Sequence, residues 1–284
     1  EIRSLFLLLY RKVNMSEGSK NILLKIQYDG TNFHGWQKQV DVRTVQGEVE
    51  HVLRFIAGYE VPVNGTSRTD TGVHALGQCC SFTWDNPLPT DKLADIMNRR
   101  FGAGGLGRSG LPGDIKVISA HEVPEDFHAR FSCHGKTYKY IIDRSGDIFE
   151  RNHVYQFGLD LDHEAMREAA KLAVGTNDFA SFQTSGGIPR ETTVRTITDI
   201  TIIQEGDRTI IRVTGDGFLY NMVRILVGTL LEIGIGKREA SEMEAIIAST
   251  DRSKAGFTAP PEGLYLEEIY FDDGFKCGGS TCTK

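Results

Sequence analysis

The chain has 284 residues, 40% hydrophobic and 25% charged, with a formal net charge of −6. This is the composition of an ordinary globular protein of one or two domains with a sizeable core. It excludes a uniformly basic nucleic-acid binder but leaves room for a local basic groove on an acidic body. The five cysteines, Cys79, Cys80, Cys133, Cys277 and Cys282, form no C-x-x-C pair and no disulfide framework, which fits a reducing cytoplasm. Cys133, His134 and His128 lack a second pair to complete tetrahedral spacing, so no metal is expected. The apolar run Leu5 to Tyr10 is too short to span a bilayer, so no membrane contact is expected either.

Residues 1–20 read as a leader or an artefact, with Met15-Ser16-Glu17 resembling a natural start. Ile22, Leu24, Ile26 and Tyr28 then alternate with Leu23, Lys25 and Gln27, which predicts a strand with one buried face. After a turn at Asp29-Gly30 comes Phe33-His34-Gly35-Trp36-Gln37. Val45, Val49, Val52, Leu53 and Ile56 recur at helical spacing, with Thr44 as N-cap and Gly58 as the C-terminal stop. A segment from Val61 to Val63 is extended, and a strand is expected over residues 74–83. Thr90 is expected to cap a helix with Leu93, Ile96 and Met97 inward, and Ile115 to Val123 is another strand. The order is β-α-β-β-α-β, the split βαβ or ferredoxin-like unit.

The second half repeats the plan. Lys136 to Ile142 is a strand, and Leu161 and Met166 form a hydrophobic staple around Asp162 as N-cap of the next helix. Thr196 to Gln204 and Thr209 to Val213 form a hairpin. Tyr220 to Ile233 is a strongly apolar helix, a short helix lies near Ala240 to Ile247, and Leu264 to Phe271 is the last strand. The expected class is α+β: two similar ferredoxin-like or RRM-like domains, with antiparallel sheets side by side. The domains are expected at 21–124 and 125–272, followed by a tail at 273–284. Gly102-Ala103-Gly104-Gly105-Leu106-Gly107 matches G-x-G-x-x-G but follows a helix, so it lacks the context of a dinucleotide site. A Gly-rich loop near the phosphate-seeking Arg99, Arg100 and Arg108 is the simpler reading.

The chemistry concentrates in Gly65-Thr66-Ser67-Arg68-Thr69-Asp70-Thr71-Gly72-Val73-His74-Ala75, an inter-strand run with Arg, Asp and His within seven residues. On its own such a run is also consistent with a solvated turn holding a weak Arg68–Asp70 pair. Tyr138 and Tyr140 share one face of their strand, with Lys139 on the other. They suit either core packing or a base-stacking platform beside lysines. In the apolar helix, Arg224, Gly228 and Glu232 leave a stripe one residue wide. That stripe faces solvent, or Arg224 has a carboxylate partner, since a guanidinium in so apolar a helix needs one. Phe127-His128-Ala129-Arg130-Phe131 sets a basic residue between aromatics or merely joins two domains, and the stretch from Phe257 to Leu266 lines a pocket or merely enters a strand.

Taken together these pieces resemble a known family. They are Tyr28-Asp29-Gly30 with Gly35-Trp36-Gln37, Thr44-Val45-Gln46-Gly47, Arg68-Thr69-Asp70-Thr71-Gly72-Val73-His74-Ala75, and Leu111-Pro112-Gly113-Asp114-Ile115. Further along are Asp126 to Phe131, Lys136 to Tyr140, Met222-Val223-Arg224 with Val227-Gly228, and Glu262-Gly263-Leu264-Tyr265-Leu266. In this order they are similar to tRNA pseudouridine synthases of the TruA type, over about residues 21–271. Ser67 stands where glycine is usual, and Thr71 where alanine is common. The resemblance implies the pseudouridine synthase fold and conversion of uridine to pseudouridine at positions 38 to 40 of the tRNA anticodon stem-loop. It also implies a cytoplasmic homodimer that uses no cofactor and no metal. It implies Asp70, Tyr138 and Arg224 as the catalytic residues: Asp70 as catalytic aspartate, Tyr138 stacked on the target base and placed to take its C5 proton, Arg224 paired with Asp70, and Arg68 holding the flipped nucleotide out of the stack. Thr69, His74, Arg130, Lys136, Lys139 and Leu264 are expected to contact substrate. A non-catalytic RNA-binding module would explain the tyrosines but not Asp70 beside Arg68, nor Arg224. A glycoside-type hydrolase would require a second carboxylate as general acid.

Overall fold

The structure, a computed structural model, describes residues 18–102, 113–184 and 191–271. The expected leader up to residue 17, the Gly-rich run after Gly102, Leu111-Pro112 and the tail lie outside the described residues. The chain forms two compact units. Among the described residues, one unit holds 18–69, 75–134 and Phe271, and the other holds 70–74 and 135–270. The first division falls inside the Arg-Thr-Asp run, between Thr69 and Asp70. The segment 125–134, after Pro124, stays with the first unit.

In the first unit, β1 (Lys20–Tyr28) pairs antiparallel with β3 (His74–Trp84) and with β4 (Ile115–Val123). The two-residue β2 (Asn64–Gly65), just after Val61 to Val63, adds beside β3. Helix α1 (Val45–Ala57) starts where Thr44 accepts a hydrogen bond from the Gly47 amide. It stops at Gly58, whose φ of 82° is one that glycine adopts freely. Val45, Val49, Val52 and Leu53 turn inward. Helix α2 (Thr90–Phe101) departs from expectation: Pro89 occupies the N-cap position, and the Thr90 hydroxyl instead donates to Glu122 Oε1 at 2.7 Å. Its Asn98 bonds both the Val117 carbonyl and the Val117 amide, completing β4 where its ladder with β1 shifts register.

Strand β1 has two buried faces near its start, not one. Leu23 is as buried as Leu24 because the segment after β4 crosses that side. Asn21 donates to the carbonyls of Pro124 and Phe127, and the Ala129 amide donates to Ser81 Oγ. The Thr66 hydroxyl donates to Ala129 O. Phe127-His128-Ala129-Arg130-Phe131 is thus a cover over β1 and β3.

The second unit is organised on β5 (Cys133–Asp143), with β6 (Tyr155–Gln156) parallel at its end. Its sheet runs β10-β5-β9-β8-β7, with β7 (Gly175–Asp178), β8 (Val194–Glu205), β9 (Arg208–Gly215) and β10 (Leu264–Phe271). A two-residue turn, Gly206-Asp207, closes the β8–β9 hairpin, and Gly206 takes a φ of 62° there. Helix α3 (His163–Ala173) begins at Asp162, which accepts from the amides of Glu164 and Ala165. Leu161 and Met166 both lie against Gly234 at the end of the later helix. Helix α4 (Met222–Gly234) is buried along nearly its whole length, and α5 (Glu242–Ser249) follows. No helix among the described residues is long and apolar enough to cross a membrane.

Candidate active site

The approach to Asp70 is fixed within the first unit. The Tyr28 hydroxyl and Thr69 Oγ1 lie 2.7 Å apart, and the Trp36 amide donates to Thr69 O at 3.0 Å. Buried Gln78 donates to Ser67 O and accepts from the Ser67 amide. A Cβ on Gly65 would sit 2.3 Å from the Trp36 indole, so only glycine lets the tryptophan lie there. Val45 and Gln46 amides donate to the carbonyls of Gly35 and Trp36 and tie this corner to α1. The Tyr-Asp-Gly, Gly-Trp-Gln and Thr-Val-Gln-Gly pieces therefore share one task, which is holding the backbone of 67–69. Arg68 projects exposed from that braced backbone, while Thr69 is buried.

Asp70 opens the short segment assigned to the second unit. The Val73 amide closes a turn on Asp70 O, and Gly72 takes a φ of 78°. His74 ends the segment in a stack: its ring lies 4.6 Å from Tyr265 and 5.4 Å from His153. At 1% exposure His74 offers no surface to a substrate; it anchors the loop instead. Asp70 itself is 27% exposed in its side chain, and Arg224 Nη1 stands 3.8 Å from its Oδ2. Burial pushes the Asp70 carboxyl above the ordinary carboxylate range, and the Arg224 charge acts against that rise.

The expected Arg224–Asp70 pair is present, but not as a two-pronged hydrogen-bonded bridge. At 3.8 Å the contact is an ion pair without a hydrogen bond. Arg224 spends its donors elsewhere, Nε on Ala259 O at 2.6 Å and Nη1 on Asn221 Oδ1 at 2.9 Å. Asn221 precedes α4 with a left-handed φ of 61° and also donates to Thr184 Oγ1. The stripe of Arg224 and Gly228 does not face solvent either. The backbone at Phe257 lies so close that a Cβ on Gly228 would be 1.9 Å from Phe257 O. Glu232, at the far end, is bound by Lys237 and Arg238.

The remaining expected residues separate. Tyr138 is 7% exposed and meets Phe218 edge-on, at 5.3 Å between centroids. Tyr140 is fully buried, its hydroxyl donating to Pro260 O, so the two tyrosines do not form a common platform. Lys139 is turned to Glu267, which Arg212 also binds, and lies over the Tyr265 ring. Leu264 is buried. Arg130 is exposed beside the exposed Phe131 in the first unit, and Lys136 is half-buried on β5. Among the described residues, no three His, Cys, Asp or Glu side chains converge as a metal site would require.

A profile of the family described as tRNA pseudouridine synthase matches residues 25–132 and 169–272. The chain belongs to the tRNA pseudouridine synthase family. The matched ranges include the Asp70 loop and α4, which carry the two charged members of the site. The "tRNA pseudouridine synthase A" of Acetivibrio thermocellus is 45% identical over 254 residues, covering 89% of this chain and 100% of that protein. The protein of the same name from Halalkalibacterium halodurans is 47% identical over 248 residues, covering 86% and 90%. "tRNA pseudouridine synthase A 2" of Clostridium tetani is 44% identical over 258 residues, covering 89% and 100%.

Within this synthase, sequence reasoning missed three supports. Gln78 looks like an ordinary strand residue. Asn221 carries one signal, its three-residue spacing before Arg224 on a helix. The carbonyl of Ala259 carries none, because a backbone acceptor is not written in a side chain.

Proposed function

We propose that this chain isomerises uridine to pseudouridine in the anticodon stem-loop of tRNA, at positions 38 to 40, with Asp70 as the catalytic carboxylate. The observation that carries the reading is a largely buried aspartate on a braced loop, with one guanidinium near it but not hydrogen-bonded to it. The reaction breaks the N-glycosidic bond, turns the uracil and joins C5 to C1′. No water is consumed. Asp70 acts at the sugar, as nucleophile or as the charge facing a developing cation. Partial burial keeps water from trapping that cation.

The target nucleotide has to leave the stack. Arg68, exposed on a rigid backbone, suits the role of occupying its place. Tyr138 supplies the aromatic face for the extruded base. Arg130, Lys136 and Thr69 serve as substrate contacts, with the two basic residues meeting phosphate. Lys139, His74 and Leu264 act behind the site, by the contacts described above. We read the units as two ferredoxin-like folds with sheets side by side, in a cytoplasmic homodimer working without metal or organic cofactor.

The test is incubation of the protein with unmodified tRNA and mapping of pseudouridine along it. Conversion in the anticodon arm, lost in Asp70→Asn with tRNA binding retained, is the expected result. Release of free uracil would indicate a hydrolase. Binding without conversion by the wild-type protein would indicate an RNA-binding module.

A further inference from the structure

The stretch from Arg252 to Gly263 lies between helix α5 and strand β10. It touches both α4, which carries Arg224, and Gly72 of the Asp70 turn. We propose that Ala255 to Pro261 is a strap that sets the position of Arg224 relative to Asp70, and that Arg252 and Tyr140 are its positioning residues. The proposal rests on the reading of Asp70 as the catalytic group.

The strap is fastened at both ends. Arg252 follows Asp251, whose side chain accepts from the Ser253 amide and opens a short 3-10 turn. From that turn its guanidinium reaches forward to three acceptors: Gly256 O at 2.9 Å, Ala255 O at 3.4 Å and Thr258 Oγ1 at 3.1 Å. One cation thus gathers the first half of the strap into a fixed curve. At the other end the buried Tyr140 hydroxyl donates to Pro260 O at 2.8 Å. Gly263 then passes 2.8 Å, measured from a would-be Cβ, from the Tyr140 ring.

Between its fastenings the strap lies on α4. The Gly256 amide donates to Thr229 Oγ1, and Gly256 presses on the Thr229 backbone. Gly228 leaves room for Phe257 O. One turn back, the Ala259 amide donates to Arg224 O while Ala259 O accepts from Arg224 Nε. Those two bonds grip one residue by backbone and side chain together. Immediately after, Pro261 abuts Gly72 of the Asp70 turn, 3.1 Å from where a Cβ would stand. Ala259 on Arg224 and Pro261 on Gly72 are two residues apart, so displacing the strap moves the guanidinium relative to the carboxylate.

A plain structural role predicts a loss of folded protein and nothing more. A positioning role predicts a fall in kcat with unchanged tRNA affinity. Misplacement of catalytic groups by about 1 Å can cost on the order of 100-fold.

The test uses the full chain and unmodified tRNA, comparing wild type, Arg252→Met, Tyr140→Phe and Asp70→Asn by circular dichroism, tRNA Kd and steady-state kinetics. The expected result is that Arg252→Met, folded at the assay temperature, loses about tenfold or more in kcat with KM and Kd within about twofold. Tyr140→Phe, which keeps the ring and removes one donor, is expected to show the same signature more weakly. If Arg252→Met does not fold, Tyr140→Phe decides. Either folded variant with kcat within about twofold of wild type overturns the strap, as does a rise in KM or Kd at constant kcat, which would make the residue an RNA contact. An active Asp70→Asn would instead overturn the catalytic reading.

Discussion

Arg224→Met tests how the site is held. In the structure, Arg224 makes two hydrogen bonds to neutral acceptors, Ala259 O and Asn221 Oδ1, and one 3.8 Å approach to Asp70. A hydrogen bond from a charged donor contributes about 1.5–3 kcal/mol, so losing two costs roughly 3–6 kcal/mol, less what the methionine side chain recovers by packing. The bare attraction across 3.8 Å is about 4 kcal/mol at an effective dielectric of 20. The side chains are 27% and 16% exposed, and screening with desolvation leaves about 1 kcal/mol. Most of the cost of Arg224→Met therefore survives in an Asp70→Asn background, with a coupling energy of about 1 kcal/mol. Reversible denaturant unfolding of the four variants measures it. A coupling near the full cost of Arg224→Met would mean that Asp70 holds the arginine, and the assignment to Ala259 and Asn221 would be wrong.

Gly228→Ala is expected to lose about 2–3 kcal/mol, since its Cβ would meet a backbone oxygen, not a flexible side chain; an unfolding midpoint unchanged from wild type would contradict the packing of the strap. Asp70 has its pKa raised by burial, against the opposing Arg224 charge. Its contribution to stability is therefore complete below the ordinary carboxylate value of about 4 and is lost as pH rises through the higher folded value. Asp70→Asn should accordingly gain stability relative to wild type between pH 3 and pH 8; a relative loss over that range reverses the sign and refutes the burial argument. Binding of tRNA should weaken steeply from about 50 to 200 mM salt despite the chain's acidic balance, and Arg130→Gln should lower the log–log slope by about one. Filter binding that ignores salt would rule out a phosphate-lined surface.

Much of the fold is legible because its signals are local. Thr44, Gly58 and Asp162 mark helix ends through bonds that each residue makes to its own neighbours. The second face of β1 is illegible because what buries Leu23 arrives a hundred residues later, with Asn21 bonding Pro124 and Phe127. Thr90 misleads for a similar reason: a distant Glu122 competes for the hydroxyl that would have capped its helix. At the site, Asp70 and Arg224 stand out as charges in unusual company. Tyr140 does not separate from Tyr138, since alternation places both on one face and only Pro260 draws one hydroxyl inward. Lys139 resembles a phosphate ligand until Glu267, on another strand, claims it.

The geometry of Arg224 follows from what the carboxylate has to do. A two-pronged salt bridge would engage both Asp70 oxygens and hold the charge low in energy, leaving a weaker nucleophile to face a sugar. With no cation at all, burial would push its pKa up unopposed, because desolvation disfavours the charged form. The observed arrangement lies between these limits. Ala259 and Asn221 hold the guanidinium back, so its charge favours ionisation of Asp70 while its hydrogen bonds go elsewhere. That compromise needs an acceptor in line with Nε, another beside Nη1, and a helix surface bare enough to admit the strap. Ala259, Asn221 and Gly228 supply one requirement each, which is why a residue as plain as Gly228 belongs to the same design as the aspartate.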